Sequence, residues 1–585
     1  MLNARLYRTA WLVSAVAIIV ALLTLQPPAT QGLERPALPG SADARTILRA
    51  TEDLRALAPV RVAGSPAAEQ ASADWVARQF ASLPSLSGLK PRVRRQVFSA
   101  RVDGELERMV NVYAVLPGTT GGLDPQGIVV MAPRDSAPGS PADTSSTALL
   151  LEAARYEATA ARRHPMLFVS TSGSAVGNAG ARWFLSRFSD FRISAVIVLD
   201  GVGERDGPVW VWGGARTPTQ ALGFASIVRE TLPWSGATAA PEPSLINQLL
   251  RFAVPQTFGD QAPFVQAGIP AVTLSSRPDG PARPVAAPDA QRLQRAGNVA
   301  VTLLSLIDQN LAQPRPESGV MLSGKELKPG VLRIVLALFA LPLWVVALDA
   351  FSRLRRSGVR MGPGMRAALL RSVPLVVACF ALHFLSLMHL MPQPAAGVPP
   401  LPRGVGFGAG ELVSVVVTLA LAALAWWLSH RAMRRLGAAP ASEAAAGLIL
   451  LGVVSLVAWF VTPFVLVLTL PAAHAVLVAT SVTRRWHAVI LGLVGLLPLA
   501  ALCVSVGTQL GRNPFFAAWY LIATTAGGAR GTVWPVFALL LSCAILSMAI
   551  LVFVRFRKGL MRREHRRRVP RPRLVAKARL PRIER

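Results

Sequence analysis

The chain is poor in the residues that build metal sites and cross-links. Of its 585 residues, seven are histidine and three are cysteine. All three cysteines, Cys379, Cys503 and Cys543, lie in apolar stretches, so the polar region before them can form no disulfide of its own. Residues 26–329 contain one histidine, His164, and no cysteine. Zinc is held by several nitrogen, sulfur or carboxylate ligands at once, and this region lacks most of the usual donors.

Acidic residues are also scarce relative to basic ones. The chain has 61 lysines and arginines against 31 aspartates and glutamates, which gives a formal net charge of +30. Such an excess would suggest nucleic-acid binding if it covered a polar surface. Here it is concentrated between hydrophobic runs in a chain that is 52% apolar, which favours a membrane protein and predicts no nucleic-acid partner. We interpret the basic tail, residues 555–585, as a lipid-facing segment that helps to fix orientation, with RNA binding as its alternative.

Long apolar runs predict membrane spans. Residues 9–25 form a run that we interpret as an uncleaved anchor, because two prolines follow it and no clear small-residue cleavage site does; a signal peptide is the alternative. Each later run approaches the ~20 residues needed to cross the hydrocarbon layer. These later runs are residues 334–351, 372–391, 412–428, 444–461, 464–482, 488–506 and 533–554. The sequence therefore predicts about eight spans, and residues 515–525 read as an interfacial or re-entrant piece.

The basic residues predict the orientation of these spans. If the N-terminus is cytoplasmic, 27 lysines and arginines fall on the cytoplasmic side and three on the short outer loops. Basic residues near span ends are retained inside, so this arrangement is strongly favoured. We expect a multi-pass protein of the cell membrane with both termini in the cytoplasm. The predicted parts are the anchor at residues 1–25, an extracytoplasmic domain at 26–329, a seven-span block at 330–554 and the tail at 555–585.

The extracytoplasmic region alternates short apolar runs with helical patterns. The predicted strands are residues 128–131, 166–170, 195–199, 209–212 and 271–274, and the predicted helices are residues 67–83, 146–161 and 287–309. Such alternation predicts an α/β layer fold with a largely buried sheet. Sites in these folds gather at the carboxyl ends of the strands, so we expect functional residues there.

Seven segments of this region resemble the zinc aminopeptidase family that includes secreted bacterial aminopeptidases and glutamate carboxypeptidase. The first reads RVAGSPAAEQASADWVARQF. In order, the segments are residues 61–80, 111–118, 127–136, 149–155, 166–184, 195–203 and 260–274. The resemblance implies a mixed-sheet aminopeptidase-like domain, here joined to an all-α polytopic membrane domain. The same order of parts resembles the membrane-bound members of the family, including the aminopeptidase-like subunit of the GPI transamidase.

The resemblance also implies which positions would hold the metals, and several are altered. Where the family has His-x-Asp after a strand, this chain has Pro133, a residue that cannot coordinate, followed two residues later by Asp135. The bridging aspartate of the family corresponds best to Asp143. Where the family has two adjacent glutamates, one of them the general base, the chain has Ser174 and Ala175.

Of the two remaining ligand positions, one is retained and the other is lost. The aspartate at the end of the next strand is retained as Asp200, whereas residues 275–280 contain no counterpart of the last histidine. Asp135, Asp143 and Asp200 are thus vestigial metal-site candidates. Oxygen ligands of this kind suit hard cations better than zinc, and capping of the turns after the strands is the alternative role for Asp135 and Asp200.

Two other chemistries find little support in the residues. Residues 170–177 are rich in serine but contain no Gly-x-Ser-x-Gly elbow, and His164 would have to act as the base of a serine hydrolase. Acidic residues in the predicted spans are confined to their ends, at Asp349 and Glu443, so no polar pathway indicates a transporter.

The sequence therefore favours a membrane-anchored, aminopeptidase-like protein without catalytic activity and without a bound cofactor. We expect it to bind a peptide, an amine or a lipid-linked substrate, and to contact membrane lipids and a membrane protein partner. The alternative is an active metal-dependent aminopeptidase outside the cytoplasm, which would require zinc. That alternative would need an unconventional base in place of the lost carboxylates.

Overall fold

The computed structural model describes residues 3–27, 41–63, 65–84, 91–102, 105–119, 125–135, 145–281, 287–311, 313–392 and 402–568. An α/β part extends from Ala44 to Gln309, and helices dominate the rest of the chain. The helices of the α/β part are α2 (Ala44–Leu57), α3 (Pro66–Ala81), α4 (Ser145–Ala158), α5 (Ala179–Arg187), α6 (Leu222–Thr231), α7 (Leu245–Ala253), α8 (Ala262–Gln266) and α9 (Ala290–Gln309). The first helix of the chain, α1, is Ala4–Leu22.

Seven strands of the α/β part form one mixed sheet. They are β1 (Arg92–Val102), β2 (Glu105–Leu116), β3 (Gln126–Pro133), β4 (Met166–Thr171), β5 (Arg192–Leu199), β6 (Trp210–Trp212) and β7 (Ala271–Ser275), in the spatial order β1-β2-β4-β3-β5-β7-β6. The central strands β4, β3, β5 and β7 are mutually parallel, whereas β2 and β6 pair antiparallel with them. The predicted mixed α/β sheet is confirmed, and its four parallel strands end at one edge.

The sheet forms because its central strands are apolar on both faces. Every residue of β4 and β7 is buried, and β3 is buried from its second residue onward. Helices α3, α4 and α9 supply the apolar residues that cover it, among them Phe80, Leu149 and Leu304. The five predicted strands fall on β3 to β7 and the three predicted helices on α3, α4 and α9. The prediction did not include the hairpin of β1 and β2, or α2.

A short hairpin joins the α/β part to a helical part. The hairpin consists of β8 (Val320–Leu322) and β9 (Lys325–Leu327). The helices that follow are α10 (Pro329–Arg356), α11 (Met361–Leu387), α12 (Ala409–Leu436), α13 (Pro440–Val461), α14 (Val465–Ala479), α15 (Arg485–Leu510), α16 (Pro514–Ala526) and α17 (Val533–Arg568).

Among the described residues, seven helices are long and apolar enough to cross a membrane, namely α1, α10, α11, α12, α13, α15 and α17. The predicted span at residues 464–482 contains α14, which has only 15 residues. At 1.5 Å per residue such a helix is about 22 Å long, against ~30 Å of hydrocarbon. The helix is shortened by Pro463 before it and by a turn that begins at Thr480. Seven of the eight predicted spans thus fall on helices of sufficient length, and the eighth falls on the shorter apolar helix α14.

A continuous apolar core connects the α/β part to the helical part. Leu250 and Phe252 of α7 belong to the same buried cluster as residues of the β8–β9 hairpin and of α10, α15 and α16. The rings of Phe252 and Phe464 lie 4.9 Å apart between their centroids. Burial of this kind stabilises the contact by roughly 25 cal/mol per Å² of apolar surface. The two parts therefore pack directly against each other at the start of α14.

Candidate functional site

The loops after the four parallel strands meet at one edge of the sheet. Asp135 follows β3, residues 172–178 follow β4, Asp200 follows β5 and residues 276–280 follow β7. The backbone joins two of these loops, because the Ser276 amide donates to the Gly201 carbonyl at 3.2 Å. The carboxyl ends of parallel strands are where α/β folds place their ligands. This edge is therefore the candidate site.

Asp135 is used to hold the loop that carries the altered glutamate positions. Its two carboxylate oxygens accept the backbone amides of Ser174 and Ala175, each at 3.0 Å. Burial raises the pKa of Asp135 to about 7, while these two hydrogen bonds act in the opposite direction and the charges of Asp260 and Glu69 raise it further. The carboxylate therefore supports the β4 loop from the end of β3.

Asp200 is paired with an arginine. Nη2 of Arg277 lies 3.1 Å from Oδ1 of Asp200, and Nε of the same arginine lies 4.0 Å from Oε2 of Glu204. Arg277 belongs to the loop in which the resembled family keeps its last histidine ligand, and only 5% of its surface is exposed. The guanidinium of Arg277 thus lies between the carboxylates of Asp200 and Glu204 and balances their charge.

The residues of this edge do not fit a zinc centre. Among the described residues, no group of three or more histidine, cysteine, aspartate or glutamate side chains is arranged to hold a metal. Asp143, the third candidate ligand, lies outside the described residues. A divalent cation beside Asp200 would face the fixed charge of Arg277, which opposes its binding.

A second buried network at this edge was not found from the sequence. Asp260 accepts hydrogen bonds from Thr171 Oγ1 at 2.8 Å and from Asn178 Nδ2 at 2.7 Å. Asn178 adopts a left-handed conformation with φ of 58°, and its side-chain Oδ1 accepts a hydrogen bond from Nη2 of Arg216. Burial raises the pKa of Asp260, although its hydrogen bonds oppose the effect. The positive φ of an asparagine has no sequence signal strong enough to reveal this arrangement.

His164 lies at the amino ends of the parallel strands, opposite the candidate site. It precedes β4, and its Nδ1 lies 3.2 Å from Oδ1 of Asp308 near the end of α9. A residue at the amino end of a parallel strand cannot reach the carboxyl edge, where Ser174 lies. His164 is therefore placed neither as a metal ligand nor as the base of a serine nucleophile at this site.

Sequence comparison shows which known proteins this chain is similar to. Residues 111–295 match the model of peptidase family M28. The alkaline phosphatase isozyme conversion protein of Escherichia coli K12 is 29% identical over 182 residues, which cover 27% of this chain and 51% of that protein. The chain thus spans about half the length of this relative.

Solved structures with similar folds include two kinds of enzyme. A glutaminyl cyclase from an Acidobacteriales bacterium is 19% identical and covers 48% of this chain and 99% of its own, with a TM-score of 0.37. A zinc aminopeptidase from Bacillus subtilis is 14% identical and covers 46% of this chain and 95% of its own, with a TM-score of 0.35.

The match and the fold cover the same strands. Residues 111–295 begin within β2, contain β3 to β7 and end in α9, so they include every loop of the candidate site. Apolar helices long enough to cross a membrane lie on both sides of this segment. Residues 111–295 of this chain are therefore similar to peptidase family M28, and we call the α/β part that contains them the M28-like domain.

Proposed function

We propose that this chain is a membrane protein whose M28-like domain binds a peptide, an amine or a lipid-linked molecule without hydrolysing it. The observation that carries the proposal is the ion pair of Arg277 and Asp200, 3.1 Å apart, at the strand ends. It neutralises an aspartate that the resembled family uses as a metal ligand. Ser174 and Ala175 add to the argument, because neither can take a proton from an attacking water.

The proposed role in the membrane is to hold this ligand for a membrane protein partner. The M28-like domain lies outside the cytoplasm in this proposal, with both termini inside, which the excess of basic residues on one side of the spans supports. This topology requires eight crossings, so the shorter apolar helix α14 crosses the membrane as well. Membrane lipids surround the exposed apolar side chains of the long helices, such as Phe380, Leu419 and Leu493. Co-purification of the intact chain in mild detergent tests for the partner.

An active metal-dependent aminopeptidase is the second candidate. The match of residues 111–295 to peptidase family M28 favours it. In this candidate Asp135, Asp143 and Asp200 would hold the metal, and an unconventional group would serve as the base. The two candidates differ in a quantity that is simple to measure, which is the amount of zinc that remains bound to the purified chain.

The proposal predicts that the full-length chain, purified in detergent, retains well below one equivalent of zinc and does not hydrolyse aminoacyl amides. Elemental analysis after dialysis measures the metal, and release of a fluorescent amine measures hydrolysis. The Arg277→His variant is expected to stay inactive as well, because it restores one ligand but no base. Near-stoichiometric zinc together with hydrolysis that Asp200→Ala abolishes would overturn the proposal.

A further inference from the structure

A cavity of about 730 Å³ lies where the M28-like domain meets the helical part. The M28-like domain contributes Arg216 and residues 252–256, and the helical part contributes residues 461–464 and 529–534. Its walls are largely apolar, and the packed rings of Phe252 and Phe464 form part of them. Cavities of this size and composition are typical of sites for small organic ligands. The cavity is separate from the Asp200 and Arg277 pair, neither of which lines it.

The charged residues of this cavity all have the same sign. Arg216, Arg530 and Arg333 line it, and the described lining residues include no aspartate or glutamate. Arg333 is exposed in the first turns of α10, whereas Arg216 and Arg530 are more deeply placed. Burial lowers the pKa of Arg216 and of Arg530 to about 10, so both guanidinium groups remain protonated at neutral pH. The cavity therefore holds positive charge that its own lining does not balance.

Several hydrogen-bond donors of the cavity also lack partners. Nε of Arg216, Nε of Arg530, Nε2 of Gln256 and Nε1 of Trp534 are buried and have no hydrogen-bond partner within the described residues. Each of these four residues lines the cavity. Leaving a buried donor unpaired costs roughly 1–3 kcal/mol, so four such groups in one place indicate that something else accepts from them. All four are donors, which points to an acceptor-rich ligand.

The surroundings of these donors indicate a ligand with an apolar portion. Val461, Phe464 and Val533 line the same cavity, and α10 begins at its edge with Pro329. Two of the long apolar helices, α10 and α17, thus begin beside the arginines. Arginine guanidinium groups pair well with phosphate oxygens, and the apolar walls are suited to hydrocarbon.

We propose that this cavity binds the phosphate group of an anionic amphiphile, with Arg216 and Arg530 on the phosphate and the apolar wall on its hydrocarbon portion. Gln256 and Trp534 donate to the remaining phosphate oxygens. This inference rests on the proposed binding role of the chain and gives it a ligand class. The phosphate could belong to a lipid or to free phosphate, and the experiment separates these sources.

The test uses the full-length chain in uncharged detergent with two fluorescent lipids of identical acyl chains, phosphatidic acid and diacylglycerol. Phosphatidic acid is expected to bind at least tenfold more tightly than diacylglycerol. Arg216→Gln and Arg530→Gln are each expected to weaken its binding by about 10- to 100-fold, the effect of losing a charged hydrogen bond. Arg530→Lys retains the charge and is expected to keep most of the affinity.

Arg512→Gln is the matched control. This arginine is exposed just after α15, does not line the cavity and lies over the ring of Phe516. Its replacement is expected to leave binding unchanged. Equal binding of the two lipids, or equal losses in all three glutamine variants, would overturn the inference. Competition by inorganic phosphate at the same concentration as the lipid would also overturn it, because the hydrocarbon would then contribute nothing.

The outcomes also separate this inference from the proposed function. Selective lipid binding by a chain that hydrolyses aminoacyl amides would leave the cavity assignment intact and overturn the proposed function. Absence of selective binding in a chain without zinc and without hydrolysis would overturn the cavity assignment and leave the proposed function intact. Circular dichroism and size-exclusion chromatography of each variant show whether it is folded before binding is compared.

Discussion

Replacing Arg134 with methionine is expected to lower the free energy of unfolding of the α/β part by about 3–5 kcal/mol, a large share of the roughly 5–15 kcal/mol that stabilises a typical native protein. Arg134 is only 1% exposed, and its Nη2 lies 2.8 Å from Oε1 of Glu69. Without the guanidinium, the Glu69 carboxylate would remain buried with its main counter-charge removed. Loss of one partner of a buried ion pair is among the most destabilising single changes in a protein.

The hydrogen bonds of Arg134 explain why no other side chain can replace it. Nη2 also donates to the Val110 carbonyl at 2.6 Å, Nη1 donates to the carbonyl and hydroxyl of Ser170 at 3.2 and 3.1 Å, and Nε donates to Ser72 at 3.1 Å. These partners lie on α3, β2 and β4, so one side chain joins a covering helix to two strands. A planar guanidinium with five donors fits this set, and lysine would leave several acceptors unsatisfied.

Pulse proteolysis of the full chain in increasing urea measures the unfolding of the α/β part separately from the apolar helices. Arg94→Met is the matched control, because Arg94 is an exposed arginine of β1 that pairs with Asp190 at 3.0 Å. Exposed pairs contribute about 1 kcal/mol or less, so this variant is expected to unfold near the wild-type urea concentration. The double variant Glu69→Gln with Arg134→Met is expected to recover part of the loss. Equal, small effects of Arg134→Met and Arg94→Met would contradict the prediction.

The buried strands of the sheet could be predicted from the sequence, because burial requires apolar residues. The more exposed strand β1 was not predicted, because it has no such apolar pattern. Strands β3, β4, β5 and β7 are buried runs of apolar residues, and their positions are apparent without a structure. Strand β1 is an edge strand whose residues are mostly exposed or half-buried and include Arg92, Arg94 and Arg95. Charged residues are common on edge strands because they discourage further pairing, and they hide the strand from an apolar pattern.

The candidate site shows a similar division. The loss of ligand residues at Pro133, Ser174 and Ala175 could be inferred from a resemblance, because it concerns positions along the chain. The pairing of Arg277 with Asp200 could not be inferred, since the two residues are 77 positions apart in the sequence. The cavity lined by Arg216 and Arg530 is harder still to predict, because only the packing of the α/β part on the helical part brings these two residues together. Contacts between distant residues depend on the fold and not on local pattern.

Glu157→Gln is expected to stabilise the α/β part by about 3 kcal/mol at pH 8 and to have little effect at pH 4.5. Glu157 lies near the end of α4, is 3% exposed, and its Oε1 has no hydrogen-bond partner within the described residues. Burial raises the pKa of Glu157 from 4.5 to about 7, and the charge of Asp308 raises it further, while Arg162 has the opposite effect. The folded chain therefore binds a proton more tightly than the unfolded chain at this position.

The sign of the pH dependence follows from that difference. Between pH 4.5 and 7 the folded chain holds more protons at Glu157 than the unfolded chain, so this residue lowers stability as the pH rises through that window. Glutamine cannot ionise, so the variant does not lose stability in this way. The difference in free energy of unfolding between the variant and the wild type is therefore expected to increase with pH and to become constant above pH 7. Urea midpoints from pulse proteolysis at pH 5 and pH 8 measure this difference. Glu52→Gln, at an exposed position on α2, is the control that should show no such increase. A constant difference at both pH values would mean that Glu157 is not buried as a carboxylic acid, because only a change of charge on one residue makes the difference depend on pH.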